Sequence, residues 1–264
     1  MKIYEKLRLS IDRDAVLDEA ASRIAHASGN SSNSRRNFLR RTLTLGGLSM
    51  LTGCALVDEA SAEELLVHVS RMNDDVQAWL FDPNRLAPTY PDSMITRPFP
   101  FNAFYSEDEV REIEESDFRL EVTGMVADKR KWTLAELRAM PQVDQVTRHI
   151  CIEGWSAIGK WGGVSFGSFL RHVGADLTAK YVGFKCSDDY FTSIDMPTAL
   201  HPQSILSLTY DGQPLPPKYG FPMKLRIPTK LGYKNPKHIQ AIFVTNTYPG
   251  GYWEDQGYNW FGGS

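Results

Sequence analysis

Hydrophobic and polar positions change period several times along this 264-residue chain. Leu65, Leu66, Val69, Val76 and Trp79 recur near helical spacing, which predicts an amphipathic helix over 63–80. Five prolines within 82–100 then exclude regular elements and predict an extended connector wrapped over a surface. The acidic run 107–115 reads as a short solvated helix. Phe118, Leu120 and Val122 alternate with Arg119, Glu121 and Thr123, the period of a half-buried strand. Thr133-Leu134-Ala135-Glu136 is a capping box opening a short helix that Pro141 follows. Further strands are predicted at 143–150, 181–186, 191–195, 205–210, 223–228 and 239–246. Asp211-Gly212 turns between two strands, and short helices at 166–173 and 197–200 interrupt the run. Many short strands with few long helices predict one β-rich, mixed α+β domain without repeats or internal linkers.

Composition adds a core and a charge asymmetry. Hydrophobic residues make up 42% and aromatic residues 11% of the chain, enough apolar material for one sizeable core and too much for general disorder. The net charge is −3, yet residues 1–53 hold nine Lys/Arg against five Asp/Glu, leaving 20 basic and 27 acidic residues for 54–264. An acidic body without a basic stripe argues against nucleic acid as the main partner.

The basic front end has its own reading. Ser34-Arg35-Arg36-Asn37-Phe38-Leu39 precedes a short apolar segment containing Gly46 and Gly47, the pattern of a twin-arginine export signal. The segment is too short to span a bilayer, which needs about 18 apolar residues. Leu51-Thr52-Gly53-Cys54 resembles a lipoprotein box that would acylate Cys54, and Ala60-Ser61-Ala62 resembles an ordinary signal-peptidase site. These signals predict a leader over 1–62, a helix and connector over 63–98, and the main domain over 99–264. They place the protein in the periplasm or cell envelope, with the twin-arginine translocase as a partner. Such export moves folded proteins and favours enzymes loaded with a cofactor beforehand.

Candidate chemistry centres on Arg148-His149-Ile150-Cys151-Ile152-Glu153-Gly154-Trp155. Cys151 is open to four readings: a packed thiol, half of a disulfide with Cys186, a nucleophile, or a metal ligand. Arg148 and His149 are expected to lower its pKa, because nearby cations favour the thiolate that attacks or ligates. No CxxC or HxxxH spacing supports zinc, and the glycine patterns of P-loop and dinucleotide folds are missing from the sequence. A second constellation runs from Pro214 to Lys237. Lysines 218, 224, 230, 234 and 237 among Gly and Pro turns suit a phosphate held by charge-assisted hydrogen bonds, against the bland alternative of a solvated basic patch.

Together, CIEGW, LPPKYGFPMKLRIP, LGYKNPKHI and the final GGYWEDQGYNWFGG resemble the sulfite-oxidase-type molybdopterin oxidoreductases over about residues 99–264. The likeness is nearest to their single-subunit bacterial periplasmic branch, which includes methionine-sulfoxide reductases. It implies the mixed, β-rich molybdopterin-binding fold of that family. It also implies one pterin per molybdenum, with two dithiolene sulfurs from the pterin and a third sulfur from Cys151; a soft thiolate suits that metal. The resemblance further places Asn102, Tyr105 and Ser106 along the cofactor, and Lys224 near its phosphate, where an arginine is usual. Asn235, Pro236 and Lys237 match the loop that holds the same end. Cys186 and Tyr219 stand where the family has a threonine and an Asn or His, so both change the pocket's polarity.

The resemblance implies two-electron oxygen-atom transfer on a small substrate, with S-oxide or N-oxide reduction ahead of sulfite oxidation. Arg148, His149 and Lys160 are expected to supply charge near the substrate, and Glu153 and Trp155 to orient the turn after Cys151. The chain has no cytochrome domain of the animal type, so a separate membrane haem or cytochrome partner is expected to exchange electrons. Two rival classes are a cofactor-free binding lipoprotein and a hydrolase built on Cys151.

Overall fold

The structure, a computed structural model, describes residues 59–264. The twin-arginine segment, Cys54 and the other leader signals before residue 59 lie outside the described residues. Residues 65–264 form one compact unit. In chain order its elements are α1 (Glu59–Leu80), β1 (Leu120–Gly124), β2 (Lys131–Trp132), α2 (Leu134–Ala139), β3 (Gln142–Ile150), β4 (Ser156–Ser165) and α3 (Phe166–His172). They continue with β5 (Tyr181–Cys186), β6 (Phe191–Asp195), α4 (Met196–Leu200), β7 (Ile205–Tyr210), β8 (Gln213–Pro214), β9 (Lys224–Arg226) and β10 (Ile239–Thr245).

The strands make two five-stranded sheets. One has the order β2-β1-β10-β5-β6, parallel only between β1 and β10. The other runs β3-β4-β7-β8, with β9 also paired to β7, and is antiparallel throughout. The main core draws on both sheets and on α2, α3 and α4, with Leu120, Trp132, Phe166, Phe169, Phe184, Leu206 and Ile242 fully or almost fully buried. In a smaller aromatic cluster on the second sheet, Phe99 packs edge to face on Trp161 and Tyr219, and Trp161 lies tilted against Tyr210.

Most predicted elements are present. The Thr133 cap closes as expected, with its hydroxyl accepting the Glu136 amide at 3.2 Å and Glu136 accepting the Thr133 amide at 2.8 Å. The proline-rich connector lies along the second sheet, where the Tyr90 amide donates to Val146 O and the Thr96 amide to Ile158 O. Asp211 and Gly212 both take positive φ and close the tight turn between β7 and β8.

Three elements differ from expectation. The acidic run makes only a single 3-10 turn, Glu107–Glu109, closed by Ser106 and Glu109; beyond it Ile113 alone of the run packs against the core, too little apolar contact to carry a helix. Strand β4 was not predicted, because Gly159, Gly162 and Gly163 weaken the strand signal. Those glycines allow close approach: a Cβ on Gly163 would stand 2.0 Å from Leu206 O, beside the register shift at Gly162/Gly163. Helix α1 forms, but Val69, Met72, Val76 and Trp79 are exposed rather than turned to the core.

Candidate functional site

The stretch around Cys151 is a hairpin. β3 and β4 pair up to Ile150 and Ser156, and the five residues between them form the loop. The Cys151 amide donates to Trp155 O at 2.9 Å, and the Gly154 amide to Cys151 O at 3.2 Å. Gly154 sits at φ 92°, a left-handed conformation that glycine adopts without strain. The Trp155 indole donates to the Glu153 carboxylate at 2.8 Å, so these two side chains brace the turn as predicted.

Alternation along β3 sorts the residues before the cysteine. Thr147 and His149 point inward and are completely buried, while Arg148 is exposed on the opposite side, over the Tyr90 ring. Arg148 therefore lies outside the Cys151 cavity. Lys160 also lies elsewhere, paired with Asp92 at 3.0 Å.

Cys151 opens into a cavity of about 150 Å³. Of the residues assigned by resemblance, Asn102, Tyr105, Asn235, Pro236 and Lys237 line it together with Cys151. Ser106, Cys186, Tyr219 and Lys224 do not. Ser106 is exposed and bonded to Glu109. Tyr219 donates to Phe99 O at 2.8 Å inside the aromatic cluster. Cys186, buried at the end of β5, lines a separate hollow with Phe191 and Phe243. Neither Cys151 nor Cys186 is in a disulfide.

The thiol is not activated by its neighbours in the expected way. Burial pushes the Cys151 pKa up, the Glu153 amide opposes this, and the Glu153 carboxylate adds to the rise. Neither Arg148 nor His149 lowers it. His149 is itself driven well below the usual histidine range by burial and by repulsion from Lys224, Arg226 and Lys237. It is a neutral imidazole with neither ring nitrogen hydrogen-bonded. A Cβ on Gly232, which lines the cavity, would stand 2.8 Å from His149 Nε2. Glycine there keeps the space beside the ring open.

The lysine series divides between two tasks, and none of its buried members is a solvated patch. Lys234 ion-pairs with Glu254, with both side chains 1% exposed, and Thr192 donates to the same carboxylate at 2.8 Å. Lys230 donates to Phe261 O at 2.8 Å and lies 3.8 Å from Asp195. Lys218 reaches Glu107 on the surface. Lys237, on the cavity wall, and Lys224, buried near it on the other side of Gly220, are the members without a carboxylate partner among the described residues. Lys224 is 1% exposed, has no carboxylate partner among the described residues, and lies 5.1 Å over the Trp161 ring. Burial drives its pKa well down, and the positive charges of Lys237 and Arg226 add to this, while Cys151 opposes it. Lys237 donates only to the carbonyls of Asn102 and Lys218, at 2.5 and 2.8 Å.

Burial lowers Lys237 to about 7, and Lys230 likewise to about 7. An unfolded lysine titrates at about 10.4. Below about pH 7 both states are charged; between about 7 and 10 the unfolded chain binds more protons, so folding stability rises with pH. Thermal melts of ligand-free protein are expected to shift upward between about pH 7 and 9, with part of that rise missing in Lys237→Met.

Sequence reasoning missed Arg226 and the cavity's aromatic wall. Arg226, wholly buried, donates to Arg148 O at 2.6 Å, Thr147 Oγ1 at 3.2 Å and Asn235 Oδ1 at 3.1 Å, tying β9 to the end of β3. Its spacing of two from Lys224 within an apolar run was the available signal. Phe104, Tyr190, Tyr233, Trp253 and Tyr258 form the wall, with Asp188 and Glu153 as its carboxylates. Phe104 stacks on Tyr190 and Tyr252. The Lys234–Glu254 pair fastens the aromatic C-terminal segment to β6 through Thr192.

This arrangement combines a soft thiol with a neutral imidazole and buried cations that lack anionic partners. Such a set fits a group carrying both a thiophilic metal and a phosphate: the orphaned His149 nitrogens, the unpaired Lys224 ammonium and the free Cys151 each lack what that group would supply.

Comparison with known proteins agrees. Residues 107–253 match the family model of the oxidoreductase molybdopterin binding domain. A protein of Azospira oryzae, provisionally named as subunit YedZ1 of a protein-methionine-sulfoxide reductase, is 74% identical over 87% of this chain and 88% of its own length. The protein-methionine-sulfoxide reductase catalytic subunit MsrP of Xanthomonas campestris is 30% identical over 53% of this chain and 48% of its own. YuiH of Bacillus subtilis, an uncharacterized oxidoreductase, is 25% identical over 64% and 85%. With a free cysteine and the buried Lys237 on one cavity, and a family match that spans more than half its length, this chain belongs to the molybdopterin-binding oxidoreductases and is a molybdopterin-dependent enzyme.

Proposed function

We propose that the chain reduces small S-oxides, with N-oxides as a secondary class, and that Cys151 is the protein ligand to the metal. The observation that carries this reading is the cavity itself: one free thiol on a braced hairpin, walled by aromatics and bearing two carboxylates, Asp188 and Glu153, against one lysine, Lys237, and no arginine. A neutral S-oxide tolerates that wall, whereas sulfite, a dianion, would be repelled by the carboxylates. The name of the Azospira relative points to the same substrate class.

When bound, molybdenum on its pterin supplies two-electron oxygen-atom exchange. The chain's residues do the rest. The Cys151 hairpin fixes the metal's position through its backbone bonds and the Glu153–Trp155 brace. Lys237, on the cavity, would hold the phosphate end, with Lys224 adding positive charge from behind it as the resemblance implies, and Asn235, itself anchored by Arg226, shapes the loop beside Lys237. Tyr105, donating to Asp188 at 3.0 Å, closes one side of the cavity. The net reaction breaks the S–O bond, takes up two protons and two electrons, and releases thioether and water.

The electrons come from a separate redox protein, for which a membrane haem subunit is the natural candidate; the subunit designation of the Azospira relative supports this. The twin-arginine pattern at Arg35-Arg36 supports export to the periplasm or cell envelope, with Cys54 as the lipid-bearing residue.

Purified holoenzyme supplied with a reduced viologen dye is expected to consume methionine sulfoxide and dimethyl sulfoxide. Faster oxidation of sulfite by the same preparation, with ferricyanide as acceptor, would reverse the assignment of direction.

A further inference from the structure

Helix α1 presents its apolar side outward. Its less exposed residues, Ser70, Asp74 and Gln77, face the body of the protein, and Asp74 accepts the Phe261 amide at 2.7 Å. At about 100° per residue, Val69, Met72, Val76, Trp79 and Leu80 share an arc of about 100°, with Met72 and Trp79 turned away from the body and Leu80 at the edge nearest Gln77. They are open to solvent, with Met72 57%, Leu80 67% and Trp79 82% exposed. A stripe of this kind on a packed helix normally meets the core; here no described residue covers it.

At Leu80 the stripe runs into a cleft of about 670 Å³ that is also lined by Arg85, Leu86, Tyr90, Arg148 and Thr229. Among the described residues neither guanidinium has an ion pair or a side-chain hydrogen bond; Arg148 only overlies Tyr90 at 5.3 Å. The Thr229 hydroxyl is buried without a partner. Asp82, the acidic group of the cleft, accepts the Asn84 amide. Residues 54–264 carry 20 basic and 27 acidic side chains, so two unpaired arginines beside an apolar stripe run against the charge of the rest.

We propose that this face docks on an anionic lipid bilayer, with the stripe at the acyl boundary and a headgroup phosphate held between Arg85 and Arg148. Aliphatic residues and a tryptophan suit the interface, and a guanidinium fork suits a phosphate. The chain ahead of α1 is consistent with this, since Cys54, the residue read as lipid-bearing, closely precedes Glu59. The docking face is independent of the reaction proposed above and holds for any substrate.

The test uses the full chain with Cys54→Ser, which removes any acyl anchor, and sedimentation with phosphatidylcholine vesicles with or without phosphatidylglycerol. Binding is expected to be about tenfold tighter to the anionic vesicles. Arg85→Gln is expected to reduce that preference, and Met72→Glu with Val76→Glu to lower binding to both vesicle types. Dye-linked turnover and the thermal melt should stay unchanged in these variants. Equal binding by all variants, or no binding to either vesicle, would overturn the proposal. Lipid-free dimerisation that Met72→Glu with Val76→Glu abolishes would assign the face to a second copy instead. Stabilisation by inorganic phosphate without vesicle binding would assign the cleft to a free anion.

Discussion

Replacing Lys224 with methionine is expected to raise the melting temperature of the cofactor-free protein while weakening its hold on molybdopterin. Lys224 is 1% exposed, and no carboxylate among the described residues offsets its charge. A buried ammonium in that position is destabilising, and Lys237 and Arg226 repel it further. Exchanging buried charge for an apolar side chain of similar volume is commonly neutral or stabilising by about 1–4 kcal/mol. At this size, 1 kcal/mol corresponds to about 2–4 °C. The resemblance sets Lys224 near the phosphate, where the same change would remove a charge-assisted interaction worth about 1.5–3 kcal/mol, or at least about tenfold in affinity. Melts of apoprotein together with pterin content after purification separate the two effects. A lower apoprotein melting temperature with pterin content unchanged would mean that Lys224 is structural.

Glu254→Ala is expected to produce the opposite pattern and the largest loss of stability. Glu254 accepts from Lys234 and from Thr192, and removing it strands a fully buried ammonium. Breaking one side of such a pair costs about 3–5 kcal/mol, a fall of about 6–20 °C. The segment that carries Trp253 and Tyr258 would loosen with it, opening one wall of the cavity. Glu254→Leu combined with Lys234→Met should recover most of the stability, because no unpaired charge remains. Equal losses in the single and double variants, by calorimetry, would show that packing rather than the ion pair fastens the segment.

Local chemistry was easiest to read from the sequence. The capping box at Thr133, the Asp211-Gly212 turn and the alternation around Phe118 each depend on a few neighbouring residues, and each is present in the structure. Strand β4 was hidden because its glycines argue against a strand locally, while their use lies across the sheet, at Leu206 O, Thr209 and Asp144. The acidic run 107–115 illustrates the reverse error: its composition permits a helix, but only the Ser106–Glu109 turn closes.

The site was legible in part for the same reason. Cys151, Asn102, Tyr105, Asn235 and Lys237 were found through motif likeness, and they meet at one cavity. Counting lysines could not separate Lys224 and Lys237 from Lys230 and Lys234. The partners that occupy the latter pair, Asp195 and Glu254, are distant in sequence. Arg148 and His149 are adjacent residues with opposite fates, because a strand sends neighbours to opposite faces. Arg148 faces the outer cleft, and His149 waits beside Gly232 with both nitrogens free. The hairpin geometry, and not cationic neighbours, prepares Cys151: its thiol stays protonated in the bare protein, and a bound metal would deprotonate it.

The central claim, that Cys151 holds the metal, is tested most directly by measuring molybdenum per chain by mass spectrometry. Wild type, Cys151→Ala and Cys186→Ala would be purified from a molybdenum-replete host. Wild type and Cys186→Ala are expected to carry about one molybdenum per chain and Cys151→Ala a small fraction of that. Equal molybdenum in wild type and Cys151→Ala, or a metal-free wild type that hydrolyses esters, would contradict the account.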